Sequence, residues 1–327
     1  MIRLENLFLS RYFKMKMNQL ESGVQRFVDD LSKANLPPIY DLPILEARNF
    51  LDTIQSQVTY DIPAQIEDTI IDNVSIRIVR PANYQYGILP TIIYVHGGGW
   101  ILGNKYTHDR LIREISNGSN AAIVFVNYTP SPEARYPIAL EEIYTVLKYV
   151  SQNGNLMNLD PNRLAIMGDS VGGNMAAVVS LLAKYRGGPH ISYQVLAYPV
   201  TEANFDTESY NKFANGPWLT KEAMKWYFDA YCPDYSIRQN PTVSPLNATL
   251  EQLSGLPSTL IITDENDVLR DQGEKFAHKL MQAGVDTTSI RFIGTIHDFL
   301  MLNPIANTNA TRSAIKFINM NLIKVLW

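Results

Sequence analysis

Short unbroken runs of Val, Ile and Leu alternate with stretches of helical period along most of this chain. PTIIYV, AAIVFVNY, RLAIM, ISYQVLAYPV, TLIITD and SIRFIG read as strands. Between or after them IALEEIYTVLKYVSQ, NMAAVVSLLAKY, EKFAHKLMQAG and the terminal RSAIKFINMNLIKV read as helices. A strand that is apolar at every position is covered on both faces. Strands separated by helices pair in parallel, because each crossover carries the chain back to the same edge. The expected class is therefore α/β: a mostly parallel central sheet with helices on both faces. VSIRIVRP, which alternates, is expected as an additional strand ahead of the apolar series.

Two intervals depart from this rhythm. Residues 17–56 look helical and polar-faced, with a break at Pro37-Pro38. Residues 203–240 hold Phe205, Tyr210, Phe213, Trp218, Trp226, Tyr227, Phe228, Tyr231 and Tyr235, a density well above the chain's 10% aromatic content. A stretch this aromatic, and too long for a simple crossover, reads as an inserted cap lying with the N-terminal helices over the carboxyl edge of the sheet. The expected organisation is N-terminal cap helices at 1–56, a catalytic core at 57–202 and 241–327, and a cap insertion at 203–240. Residues 1–16 read as a dispensable amphipathic extension.

Composition excludes several function classes. The formal net charge of -4 and the lack of a basic stripe give no electrostatic basis for binding nucleic acid. No run reaches the ~18 apolar residues of a spanning helix, so stable membrane insertion is not expected. Cys232 is the one cysteine, which rules out an intramolecular disulfide and reads as a cytoplasmic chain with a packing role for that residue. No H-E-x-x-H pair or G-x-x-x-x-G-K-[ST] loop occurs, so neither a metal nor a nucleotide cofactor is expected.

Positive signals come from two glycine-flanked motifs, each at the end of a strand. Gly168-Asp169-Ser170-Val171-Gly172 is a G-x-S-x-G where RLAIM turns into a helix. A nucleophilic serine must project from a tight turn, and glycines two residues either side let strand and helix approach. His96-Gly97-Gly98-Gly99-Trp100 follows PTIIYV. Consecutive glycines free main-chain amides to face an oxyanion, where one lost donor typically costs ~3 kcal/mol.

The serine needs a base. In this fold the order is serine, acid, histidine, with the site on loops after strands. His96 and His108 precede the serine, His190 enters a strand from its other end, and His278 lies within a helix. His297, after SIRFIG, is left as the base. An unperturbed imidazole titrates near ~6.5, so kcat/KM is expected to rise through pH ~6–7. The acid follows TLIITD, and spacing alone does not separate Asp264 from Asp267; Asp271 and Glu274 suit the start of the next helix.

HGGGW, NYTPSPEARYP, GDSVGGNMA, DVLRDQGE and HDF occur in that order, and in this the chain resembles the hormone-sensitive-lipase family of bacterial-type esterases over roughly residues 20–325. The resemblance implies an α/β-hydrolase core with a helical cap, no cofactor, and hydrolysis of short acyl esters through an acyl-enzyme. It implies Asp267 as the acid, and the amides of Gly98, Gly99 and Val171 as oxyanion donors. The substrate pocket is expected from Trp100, Asp169, Phe205, Phe213 and Trp218, and the partner is a small-molecule ester bound by a monomer or homodimer. The chain departs from the family at Thr129 (usually Arg), Val171 (usually Ala), Val268 (usually Pro) and Asp298 (usually Gly). Val171 is expected to narrow the acyl pocket. Two other readings stand beside the esterase: a deacetylase or amidase using the same triad, and a non-catalytic hydrolase-like receptor.

Overall fold

The computed structural model describes residues 19–327; the expected extension at 1–16 lies outside them. Eight strands form one sheet: β1 (Ala64–Ile71), β2 (Val74–Pro81), β3 (Leu89–Val95), β4 (Ala122–Asn127), β5 (Leu159–Asp169), β6 (Tyr193–Ala197), β7 (Ser258–Asn266) and β8 (Thr287–Ile296). Their order across the sheet is β1-β2-β4-β3-β5-β6-β7-β8. From β4 to β8 every neighbour is parallel, while β2 runs antiparallel to both β1 and β4. Every residue of β3 and β6 is buried, as expected for strands covered on both faces.

β1 is the strand the sequence pattern does not reveal. It is an antiparallel edge with mostly exposed residues, so it carries no apolar run. It pairs with β2 through the two-residue turn Asp72-Asn73, both at positive φ (44° and 69°), which suits a tight hairpin. β2, which reads as alternating, is buried at nearly every position. It can be, because Arg77 is held by Asp68 (2.8 Å) and Asp109 (3.3 Å), and Arg80 by Glu67 (2.9 Å).

The helices are α1 (Ser22–Ala34), α2 (Ile44–Ser56), α3 (Asp109–Ser119), α4 (Ile138–Asn153), α5 (Val171–Tyr185), α6 (Glu208–Lys212), α7 (Lys221–Tyr231), α8 (Leu250–Leu253), α9 (Arg270–Gln282) and α10 (Asn309–Leu326). α3 also goes unseen in the sequence, being short and rich in Arg, Asn and Ser. Its Leu111, Ile112 and Ile115 nevertheless form a buried stripe. The break at Pro37-Pro38 separates α1 from α2, with a 3-10 turn at Ile39–Asp41 between. Among the described residues no helix is long and apolar enough to cross a membrane. Cys232 is buried, and its Sγ faces the Asp234 carbonyl at 3.7 Å.

α2 and α3 both grip the loop that follows β8. Gln55 of α2 donates to the Met301 carbonyl (2.8 Å) and accepts from the Asn303 amide (2.9 Å). Arg110 of α3, 3% exposed at its side chain, donates to Asn303 Oδ1 (2.8 Å), Glu114 (3.1 Å) and the Leu300 carbonyl. Removing Arg110 leaves the buried Asn303 Oδ1 and Leu300 carbonyl without this donor, at about 1–3 kcal/mol each, while Glu114 keeps its pair with Arg312 at 2.8 Å. Arg110→Ala should therefore lower unfolding stability by about 2–5 kcal/mol in urea denaturation. A loss below ~1 kcal/mol, the size of a surface pair, would contradict the anchoring role.

Candidate active site

β5 ends where the chain must turn sharply into α5, and Ser170 occupies the turn with φ 54° and ψ -120°. A non-glycine residue there is strained and persists only where its surroundings over-determine it. Three backbone hydrogen bonds do so: the Ser170 amide donates to the Ala197 carbonyl (2.9 Å), and its carbonyl accepts from the amides of Asn174 (3.1 Å) and Val200 (3.2 Å). Gly172 makes the turn possible, since a Cβ there would strike the Val95 carbonyl oxygen.

The loops after β7 and β8 bring the other two side chains. Ser170 Oγ lies 2.9 Å from His297 Nε2, and His297 Nδ1 lies 2.8 Å from Asp267 Oδ2. Asp267 Oδ1 accepts from the Leu269 amide at 3.0 Å, which fixes the carboxylate in its loop. All three side chains are buried. Tyr198, at the end of β6, presses edge-on against the His297 ring with centroids 4.9 Å apart. Burial pushes the His297 imidazole down, but Asp267 and Asp298 push it up by more, leaving it at about 9.

Asp264, the acid that spacing leaves level with Asp267, is fully buried and neither of its oxygens has a hydrogen-bond partner among the described residues. Burial, followed by the charges of Asp267 and Asp298, raises its carboxyl well above the usual range. Asp264, Asp267 and His297 also form a cluster with metal-like donor spacing. Both ring nitrogens of His297 are already engaged, by Asp267 and Ser170.

The glycine loop after β3 forms the wall opposite the histidine. Gly98 (φ 105°) and Gly99 (φ 63°) both line the cavity beside Ser170. The Gly98 carbonyl accepts from the amides of Ile101 (3.1 Å) and Leu102 (2.7 Å), so the turn is closed on itself. At Gly99 a Cβ would run into the Tyr227 ring. His96 lies against Tyr128 (4.2 Å between centroids) and points Nδ1 at the Gly97 carbonyl, 2.8 Å away. Burial drives its ring down to about 3, so it is neutral and Nδ1–H donates to that carbonyl. Val171 opens α5, where helix amides have no carbonyl behind them.

The cavity over Ser170 measures about 420 Å³. Its walls come from the stretch between α1 and α2, from Phe50, and from Trp218, Met224 and Tyr227 between β6 and β7. Of the five residues expected in the pocket, Trp218 alone lines it, and the other four are corrections. Trp100 is buried flat on Tyr231 at 4.2 Å. Phe205 packs edge-on against Tyr210 and Phe228 at 5.6 and 5.5 Å. Phe213 faces the Arg270 guanidinium at 5.6 Å. Asp169 is fully buried beneath the glycine loop, where it accepts from the Tyr94 hydroxyl (2.7 Å) and contacts His108 Nε2 (3.2 Å). Burial raises its carboxyl, and the contacts of His108 and Tyr94 outweigh that and lower it, so it is a carboxylate. Val171 is fully buried and adds no wall to the cavity, which removes the expected narrowing. Sequence reasoning does not find Tyr227, because nothing in a dense aromatic stretch tells which ring faces inward, nor Tyr198, which reads as one more apolar residue at a strand end. His190 and His278 are exposed, away from Ser170.

Similarity to known proteins follows this geometry. Residues 92–301 match a family model described as alpha/beta hydrolase fold. The chain is 40% identical to a protein of Acanthamoeba polyphaga mimivirus that carries the name alpha/beta hydrolase, over 98% of this chain and 95% of that one. It is 31% identical to an arylesterase of Saccharolobus solfataricus, over 86% of this chain and 92% of the relative. The crystal structure of a thermostable esterase from Pseudomonas putida superposes with a TM-score of 0.92 at 42% identity, covering 94% of this chain and 98% of that one. With a strand-to-helix serine, a glycine loop facing it and relatives named as esterases, the chain belongs to the hormone-sensitive-lipase-like esterases of the α/β-hydrolase superfamily and is a carboxylic ester hydrolase.

Proposed function

We propose that this esterase cleaves short-chain acyl esters through an acyl-enzyme, with Ser170 as nucleophile, His297 as general base and acid, and Asp267 orienting the histidine. The observation that carries this is the continuous chain of contacts from Ser170 through His297 to Asp267, at 2.9 and 2.8 Å. Ser170 Oγ attacks the ester carbonyl carbon as its proton passes to His297 Nε2. The carbonyl oxygen becomes an oxyanion facing the amides of Gly98, Gly99 and Val171. Collapse breaks the bond to the alkoxy oxygen, which takes the proton from His297 and leaves as the alcohol. Water then repeats the sequence on the acyl-enzyme, with His297 again accepting a proton, and releases the carboxylic acid. Asp267 holds the tautomer that presents a lone pair to Ser170, and it balances the imidazolium once formed.

A triad acts as a unit, so losses within it do not add. Ser170→Ala and His297→Ala should each lower kcat by several powers of ten, and the double variant should be scarcely worse than either. Asp267→Asn should be severe. Asp264→Asn should stay within several-fold in kcat with unchanged or raised Tm, because it removes a buried carboxyl with no partner. Steady-state kinetics and thermal melts check this series, and a severe Asp264→Asn with a mild Asp267→Asn would reassign the acid.

The base must be neutral to accept a proton. With His297 held at about 9, the acid limb of kcat/KM should lie above the ~6.5 of a free imidazole, higher than sequence alone suggests. The sign is the same for stability. A raised histidine contributes fully below ~6.5 and loses that contribution as pH climbs through about 9. A kcat/KM profile over pH 5–10 tests it, and a midpoint at or below ~6.5 would contradict the two-carboxylate environment.

Acyl length follows from the walls. Each CH₂ placed in the cavity gains ~0.8 kcal/mol until the space is filled, after which displaced side chains cost ~1–3 kcal/mol. With Phe50, Leu102, Trp218, Met224 and Tyr227 enclosing it, activity should peak on the order of two to six acyl carbons and fall steeply beyond. Rates on p-nitrophenyl acetate, butyrate, octanoate and palmitate measure this. An optimum at palmitate would make the enzyme a lipase.

A further inference from the structure

Asp298 follows the proposed base directly, where it holds a left-handed backbone (φ 67°). Its carbonyl accepts from the amides of Met301 (2.9 Å) and Leu302 (3.0 Å), which explains the turn but not the side chain. That side chain is only 15% exposed, and its two oxygens have different surroundings. Oδ2 accepts from the Trp218 indole N–H at 2.9 Å. Oδ1 is buried without a hydrogen-bond donor among the described residues and lies 3.4 Å from His297 Nε2. A buried carboxylate oxygen with no donor is costly, so such a group calls for an explanation.

Trp218 belongs to the segment between β6 and β7, and it also packs on both N-terminal helices. Its ring lies 5.6 Å from Phe27 of α1 and 6.3 Å, nearly parallel, from Phe50 of α2. One side chain therefore touches the N-terminal helices, the β6–β7 segment and, through Asp298, the loop of the base. Where that ring sits fixes where the Asp298 carboxylate points.

We propose that Asp298 is a positioning residue that couples seating of the cap to proton transfer: Trp218 aims its carboxylate at His297 Nε2, where its charge favours the imidazolium. The inference rests on the triad reading above. At 3.4 Å with no hydrogen bond, Oδ1 acts by charge and leaves Nε2–H free for Ser170 and the departing alkoxide. It gains most when the imidazole carries the proton, which is when the transition state needs it. The groups around His297 leave this role open to few others. Asp267 is committed to Nδ1, and Asp169 to Tyr94 and His108. Burial raises the Asp264 carboxyl and the hydroxyls of Tyr198 and Tyr227 well above their usual ranges. Glu222, also on the cavity wall, is paired to Lys225 at 2.7 Å. Among the described residues no Lys or Arg lines the cavity, so no cation competes for Asp298 there.

Three substitutions separate charge from latch. Asp298→Asn keeps an acceptor for Trp218 and removes the charge. Asp298→Gly removes both and suits the left-handed backbone. Trp218→Phe keeps the ring and removes the N–H. Asp298→Asn and Asp298→Gly should each move the His297 titration, followed by NMR of the ring, down by roughly one pH unit, with the acid limb of kcat/KM moving alongside. Trp218→Phe should raise KM several-fold in the wild-type background and have little further effect on Asp298→Gly. An unmoved midpoint in Asp298→Asn would overturn the charge role, and strictly additive losses for Trp218→Phe and Asp298→Gly would overturn the latch. Fluorophosphonate labelling of Ser170, run on the same samples, tests the triad separately. An unlabelled wild type would sink that reading, while the NMR titration would still decide whether Asp298 acts on His297.

Discussion

A single strained residue sets the arrangement of this site. With Ser170 at φ 54°, the hydroxyl projects from the carboxyl edge of the sheet, and the first amides of α5 point to the same space. Such a conformation persists only if neighbouring strands hold it from both sides. β6 and the residues just after it supply that hold through the Ala197 carbonyl and the Val200 amide, and β3 comes close enough that Gly172 must lack a side chain. The continuous apolar strands are thus the reason Ser170 can be strained. Every residue of β3 and β6 is buried, so neither can relax away from the turn.

The same dry edge makes every polar group near it consequential. Asp169 is charged because His108 and Tyr94 answer it, and it supports the glycine loop from below; a Cβ on Gly97 would collide with it. His96 is neutral, donating to the Gly97 carbonyl while it lies against Tyr128. The loop is therefore braced by a carboxylate on one side and a neutral imidazole on the other. In the proposed mechanism, amides fixed in this way need no reorganisation when the oxyanion forms.

What the sequence made legible follows from where chemistry restricts residue choice. The glycines around Ser170 and after His96, and the position of His297 after a strand, leave few alternatives, and the structure brings these residues to one place. Apolar runs predicted the sheet because burial on both faces leaves a continuous signature. β1 left none, being an edge strand with exposed residues on both faces. The pocket walls were the least legible. Trp100, Phe205 and Phe213 are as aromatic as Trp218, yet they bury against Tyr231, Tyr210 and Arg270 instead of facing the serine. Which aromatic faces inward is decided by tertiary packing, and a run of aromatics carries no trace of that decision.

Asp264 and Asp267 show why spacing leaves two candidate acids level, and how differently the fold treats them. Both are fully or almost fully buried at the end of β7, and both lie within reach of the His297 ring. Two carboxylates in so small and dry a volume cannot both keep their charge cheaply. The selection falls to the backbone. Asp267 receives the Leu269 amide on one oxygen and His297 on the other, whereas Asp264 receives nothing. Asp267 thus has donors on both oxygens, while burial and the facing Asp267 and Asp298 raise the Asp264 carboxyl well above its usual range. The field at His297 Nδ1 then comes from a single oriented carboxylate, which is the condition for one fixed tautomer at Nε2.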